Sequence, residues 1–204
     1  MSLIDDAVAA LRAGKPAVLP TDTVYGLCAE PYRDEPTRRA YRLKGRPDTQ
    51  ASALIAADVD MLLECVPELR AHAGRIARAL LPGPYTLVLP NPARRYRWLT
   101  GGNPDAIGVR VPELPESARA IVERIGSVMA TSANLHGGRD PRRLADVPEE
   151  IRAAAGAVVD GGELPGVPST VIDLTGPEPR IVREGAVPAE EALARVRDAV
   201  PERV

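Results

Sequence analysis

The chain has 204 residues, 45% of them apolar and 26% charged, the balance of an ordinary globular protein and enough length to bury a substantial core. The formal net charge of -2 excludes a wholesale nucleic-acid coat, although a local basic groove would not show in that sum. With Phe 0 and Trp 1 the aromatic share is 3%, which excludes the stacking platforms of single-stranded nucleic-acid binders and leaves any RNA contact to electrostatics.

Residues 3–13 predict a helix: Ile4, Val8 and Leu11 share one face, Asp5 and Asp6 suit the first turn and Gly14 suits the end. The acidic start, Met1 to Asp6, carries neither the basic flank nor the apolar run of a signal peptide or membrane span, and the expected location is the cytosol. Ala17-Val18-Leu19 reads as a short buried strand. Pro20-Thr21-Asp22-Thr23-Val24-Tyr25-Gly26-Leu27 follows it as hydroxyls, a proline and a glycine turn, at the kind of strand end where open α/β sheets bind ligands. Asp34-Glu35-Pro36 opens a helix through Leu43 that delivers Lys44-Gly45-Arg46-Pro47 at its exit.

Ala53 to Ala56 is a candidate strand, and Leu69, Ala73, Ile76, Ala77 and Leu80 trace a helical stripe that Pro82-Gly83-Pro84 stops. Tyr85 to Leu89 is a strand. In Ile107-Gly108-Val109-Arg110-Val111 the alternation turns Arg110 away from Val109 and Val111, onto a face where it needs an anion or solvent. A helix over 115–125 (Ala118, Ile121, Val122, Ile125) precedes a strand over Ser127 to Ala130 that runs into Thr131-Ser132-Ala133-Asn134. A short helix near 148–155, strands near 157–159, 169–174 and 180–183, and a helix from Pro188 to about Val200 complete the chain. Helices interleave with strands, yet strands also follow one another near the end. The expected fold class is therefore α/β, one domain over 1–204, with a twisted mixed sheet and flanking helices. Loops at 82–84, 101–104 and 161–168 read as mobile or ligand-covering connections.

No GxxxxGK[ST] phosphate loop, GxGxxG fingerprint or GxSxG elbow occurs. Cys28 and Cys65 form no CxxC and have only His72 and His136 to join them, which argues against a zinc site and suits a reducing compartment. His136, in a glycine turn, reads as a loop residue. Arg38, Arg39, Arg75, Arg78, Arg119 and Arg124 read as solvated helix faces. Lys44 and Arg46, two apart on an extended exit, would point to one side and could bind phosphate oxygens; a lone KxR is more often a surface pair, and Gly45 and Pro47 favour the shaped loop. Ser132 and Asn134 serve equally as ligand contacts or turn formers.

Taken in order, PTDTVYGL, KGRP, LLPGPYTLVL, IGVRVP, ATSAN, PSTVIDL and IVREGAV resemble the YrdC-like family over about residues 5–190, and specifically its short, single-domain threonylcarbamoyl-AMP synthases of the TsaC type. The resemblance implies a YrdC-like sheet around a large concave cavity. The implied activity is that of a nucleotidyltransferase making threonylcarbamoyl-AMP and pyrophosphate from L-threonine, bicarbonate and ATP with Mg2+. The product would pass to a downstream tRNA threonylcarbamoyl transferase complex that modifies tRNA adenosine 37, with tRNA or double-stranded RNA as a further contact and no membrane. Residue by residue, Lys44 and Arg46 match the family's KxR, with catalytic and ATP-binding roles, and Ser132 and Asn134 match its SxN. Arg183 is similar to the arginine that completes the ATP site. Thr21, Arg110 and Thr170 match threonine-binding positions, and Ser169 and Thr23 are second-choice contacts. The chain departs from the family pattern at Ser52-Ala53-Leu54, Ala106, His136 and Asp140. The alternative expectation is a YrdC-like RNA-binding or ribosome-assembly module without synthase activity.

Overall fold

The computed structural model describes residues 2–70 and 72–199. In chain order the elements are α1 (Leu3–Arg12), β1 (Ala17–Leu19), β2 (Gly26–Ala29), α2 (Asp34–Lys44), β3 (Ala53–Ile55), α3 (Val59–Cys65) and α4 (His72–Leu80). There follow β4 (Tyr85–Pro90), β5 (Ala106–Arg110), α5 (Glu116–Ile125), β6 (Val128–Ser132), α6 (Glu149–Ala154), β7 (Ala157–Val158), β8 (Thr170–Asp173), β9 (Arg180–Arg183) and α7 (Ala189–Ala199). The strands form one nine-stranded sheet in the order β7-β1-β2-β6-β3-β5-β4-β8-β9. It is mixed: β1/β7, β3/β5 and β4/β8 are parallel and the other pairs antiparallel.

Two elements were not expected, β2 and α3. Gly26 does not turn the chain; it opens β2, which pairs back on β1 with Leu19 opposite Gly26, so the return is made by Pro20 to Tyr25. Thr21 holds that return, its Oγ1 accepting from the backbone N–H of Thr23 and Val24 and donating to Val24 O at 2.7 Å. The second omission, α3, starts at the N-cap Asp58, whose carboxylate accepts from Met61 N at 2.7 Å. The expected stripe from Leu69 to Leu80 is broken: Leu69 lies in a 3-10 turn, Pro67–Arg70, ahead of α4. The expected end of the last helix, Val200, falls outside the described residues.

Register sorts the side chains. Ala29, Met129, Leu54, Val109, Leu87 and Ile172 are successive cross-strand partners, all buried, and form a row on the face covered by α2, α3, α4, α6 and α7. The opposite face is covered by α1 and α5 only over β1, β2 and the ends of β3 and β6, where Val8, Leu11, Ile121 and Val122 pack on Leu19, Cys28, Ile55 and Val128. Beyond those helices the second face stays open, and the candidate site lies there. The expected solvated arginines pair with neighbours, Arg38 with Asp34 and Asp48, Arg39 with Glu35, Arg78 with Asp60, Arg119 with Glu123 and Arg124 with Asp5. Among the described residues no helix is long and apolar enough to cross a membrane.

Candidate active site

The uncovered half of the second face is the floor of a cavity of about 430 Å³. Its central row consists of Ala130, Ala53, Gly108 and Val88, again successive partners across β6, β3, β5 and β4. Small side chains make the hollow. A Cβ built on Gly108 would meet nothing closer than Ser52 O at 3.6 Å, so the glycine leaves room above the sheet without being required by packing. Arg46, Arg110 and Arg183 stand around this floor with Thr21, Thr23 and Ser132. Of the loops expected to cover a ligand, Asn103 and Pro168 reach the cavity and 82–84 does not.

Lys44 and Arg46 do not leave α2 as an extended segment. Lys44 is the last helical residue and Gly45 takes a left-handed φ of 64°, with Gly45 N–H donating to Arg42 O and Arg46 N–H to Tyr41 O. This C-terminal motif reverses the chain and sends both side chains to the end of β6. Lys44 is 3% exposed. Its Nζ donates to Ser132 O at 2.7 Å and to Asn134 O at 2.8 Å, and lies against Asn134 Oδ1 and, at 3.3 Å, Ser132 Oγ. Burial, aided by the nearby Arg46 charge and opposed by Asp140, pushes its ammonium down to about 8. Lys44 and Asn134 are off the cavity wall; Asn134 is spent on Lys44, Ser132 and Gly138 O. Arg46 is on the wall, donating from Nη1 to Thr131 Oγ1 at 2.7 Å and from Nη2 to Ala51 O, with its guanidinium 5.6 Å from the centre of the Tyr41 ring.

On the opposite wall the anion that Arg110 requires is Asp22. Arg110 Nη2 donates to Asp22 Oδ1 at 2.8 Å and to Thr23 Oγ1 at 3.3 Å. The arginine faces the cavity and the aspartate lies behind it. Burial raises the Asp22 carboxyl above the usual carboxylate range, against the pull of Arg110, and lowers Arg110. A third cation, Arg183, comes from the edge strand β9 and donates from Nη2 to Ser169 O at 2.8 Å and to Ser169 Oγ at 3.2 Å. An irregularity between Val171 and Ile172 shifts the β8/β9 register so that Arg183 sits opposite Val171, itself a wall residue. Thr170 is off the wall: its Oγ1 donates to Val187 O at 2.6 Å and accepts from the N–H groups of Gly185 and Val187, tying α7's entry to the sheet.

Site residues that carry no individual role in the sequence reading are Asp22, Thr86, Thr131 and Ser52. Asp22 sat in plain view beside Thr21, and the requirement that a strand arginine meet an anion was the available signal. Thr86 bonds Ser169 Oγ at 2.8 Å, and the alternation of Tyr85 to Leu89 placed it on the face opposite Leu87. Ser52 Oγ is buried beside the cavity, next to the Tyr41 hydroxyl. Asp140, noted only as a departure from the family pattern, brings a carboxylate to the same wall.

A sequence profile of the Sua5/YciO/YrdC family, described as "Telomere recombination", matches residues 9–185. The chain is 36% identical over 182 residues to the threonylcarbamoyl-AMP synthase of Pyrococcus abyssi (strain GE5 / Orsay), an alignment covering 89% of this chain and 53% of that protein. It is also 36% identical over 155 residues to the threonylcarbamoyl-AMP synthase of Halorhodospira halophila (strain DSM 244 / SL1), covering 76% and 81%. It thus spans about half the length of the first relative. The crystal structure of P. abyssi Sua5 complexed with L-threonine superposes with a TM-score of 0.86 at 35% identity, over 95% of this chain and 57% of that one.

Proposed function

The chain belongs to the Sua5/YciO/YrdC family, and from that premise we propose that it is a nucleotidyltransferase converting L-threonine, bicarbonate and ATP to threonylcarbamoyl-AMP and pyrophosphate. The observation that carries this reading is one cavity with a small-residue floor and three arginines from three different segments on its wall, Arg46, Arg110 and Arg183. Such a hollow suits two anionic reactants that repel each other in water. The relatives' names and the threonine complex support the choice of substrates.

In this mechanism Arg110 takes the threonine carboxylate, since a guanidinium fork matches it in a way an ammonium cannot. The amine adds to bicarbonate with loss of water, giving a carbamate. A carbamate oxygen then attacks the α-phosphorus of ATP, the bond to the β-phosphate oxygen breaks, and pyrophosphate leaves; no side chain becomes covalent. Arg46, Arg183 and Ser132 hold the phosphates, while Lys44 and Asn134 act through the strand end that carries Ser132. Thr21 shapes the turn beside Arg110, and Thr170 fixes the segment that presents Ser169 and Arg183.

The described residues contain no group of three or more His, Cys, Asp or Glu side chains placed to hold a metal ion. The wall offers hard oxygen donors, the Asp140 carboxylate and the Ser132 hydroxyl, which fit a magnesium ion carried in by the triphosphate with few protein ligands. Such an ion would neutralise phosphate charge. Transfer of the product to a tRNA-modifying complex, direct contact with tRNA, and a cytoplasmic location complete the proposal.

The test is incubation of the purified protein with ATP, bicarbonate and labelled threonine. Pyrophosphate and a labelled adenylate that both require all three substrates are expected. Salt-sensitive duplex RNA binding with no pyrophosphate release would favour the RNA-binding module instead.

A further inference from the structure

We propose that Asp22 is a positioning residue that fixes the guanidinium of Arg110 and thereby sets the protein's affinity for its amino-acid substrate. The inference rests on the reading of Arg110 as the carboxylate partner. Both side chains are nearly enclosed, 11% and 10% exposed for Arg110 and Asp22. A buried arginine and carboxylate usually meet fork to fork through two parallel hydrogen bonds. Here a single Arg110 nitrogen, Nη2, reaches a single oxygen, Oδ1, at 2.8 Å, and the backbone of Glu113 supports the same carboxylate. Nη2 is spent on Asp22 and Thr23 and Nε is buried, so Asp22 holds the guanidinium from behind and Nη1 is the donor left at the cavity for a ligand.

Asp22 is itself held rigidly. The Pro20 to Tyr25 return carries it between β1 and β2, and Thr21 Oγ1 cross-links that return through the N–H groups of Thr23 and Val24, with Thr23 Oγ1 at 3.1 Å. Thr23 then touches the same Arg110 nitrogen, so the anchor has two points. An arginine fixed at two points is aimed before its ligand arrives, which lowers the entropy lost on binding.

The test compares Asp22→Ala, which removes the acceptor, with Asp22→Asn, which keeps an oxygen acceptor of the same reach and removes the charge. Threonine binding is measured by calorimetry on the whole chain, and ATP binding separately. The alanine variant is expected to bind threonine about ten- to a hundredfold more weakly, the cost of a misplaced contact group, with ATP affinity unchanged. The asparagine variant should recover most of the threonine affinity. Equal loss in both variants would overturn the proposal in favour of simple charge pairing, and parallel losses of threonine and ATP binding would overturn it in favour of a structural role. Should the alanine variant not fold, Asp22→Glu carries the test: its longer arm displaces the guanidinium and must weaken threonine alone. Wild-type protein that binds no threonine would refute the functional reading, whereas wild-type binding with no effect of Asp22 changes would refute only the positioning role.

Discussion

Replacing Lys44 with methionine keeps the apolar stem and removes an ammonium that ties α2 to the end of β6. Two backbone carbonyls, Ser132 O at 2.7 Å and Asn134 O at 2.8 Å, lose a charged donor, while Asn134 Oδ1 keeps the Ser132 hydroxyl at 2.6 Å. Hydrogen bonds to charged groups contribute roughly 1.5–3 kcal/mol each, so the gross loss is about 3–6 kcal/mol. Burial, which pushes the ammonium down to about 8, offsets roughly 3 kcal/mol of that gain, and a net loss of about 1.5 kcal/mol follows. For a chain of this size that lowers the melting temperature by roughly 3–6 °C. Differential scanning calorimetry reads the stability and titration calorimetry reads ATP affinity, which should fall about tenfold as Ser132 loses its brace. A variant that melts within about 2 °C of wild type yet loses nearly all ATP binding would refute the reasoning, because Lys44 would then act on phosphate directly and not through Ser132.

Gly108→Val should leave stability within about 1 kcal/mol, since a strand accepts a β-branched residue and a Cβ there meets nothing closer than 3.6 Å, but should abolish adenylate formation by filling the floor; a turnover assay showing wild-type activity would place the substrates elsewhere. Asp140→Asn removes one negative charge from a wall shared with Arg46 and Arg183, so ATP should bind about fivefold more tightly in EDTA, roughly 1 kcal/mol, while the enhancement by magnesium shrinks. An unchanged magnesium effect in calorimetry would remove Asp140 from the phosphate region. Because burial raises the folded-state carboxyl of Asp22 above its unfolded value, its proton uptake stabilises the fold fully below the ordinary carboxylate range and that stability is lost as pH rises through the raised value. The melting temperature of Asp22→Asn relative to wild type should therefore climb as pH rises from the ordinary carboxylate range through that raised value; a falling difference would mean that Asp22 is stabilised as a carboxylate.

Strong periodicity made most of the elements legible. Strands over Ala17–Leu19 and Arg180–Arg183 and helices ending at Arg12, Lys44 and Ile125 lie where alternation, caps and glycines put them. The omissions have physical causes. β2 is four residues beginning with Gly26, too short for alternation to register, and its partner is set by a turn whose bonds come from the Thr21 side chain. α3 spans seven residues and announces itself only through the Asp58 cap. At the site, the mixed sheet, the polar strand ends and the outward turn of Arg110 were readable. Which side chains are consumed internally was not. The KxR spacing puts Lys44 and Arg46 on one extended side, but the left-handed φ of 64° at Gly45 buries one among carbonyls and places the other on the wall. Nor does sequence reveal that Thr170 spends its hydroxyl on Val187 O.

The same sheet that builds the core also builds the cavity, and a single step of register separates the two. Leu54 and Val109 face the apolar helices, whereas Ala53, Gly108 and Arg110, one residue away, face the hollow. Where β8 meets β9 that alternation alone would place Val182 opposite Val171 and turn Arg183 toward the covered face with Thr170. The irregularity between Val171 and Ile172 inserts one residue, leaves Val182 64% exposed, and brings Arg183 opposite Val171 on the cavity side. Asp22 and Arg110 show a comparable departure, since burial disfavours the charged form of both. A buried pair of this kind adds little to stability. An edge bulge that re-aims one arginine and an ion pair that holds another through one nitrogen are departures from the simplest packing of a sheet, and both act at the one face that the helices leave open.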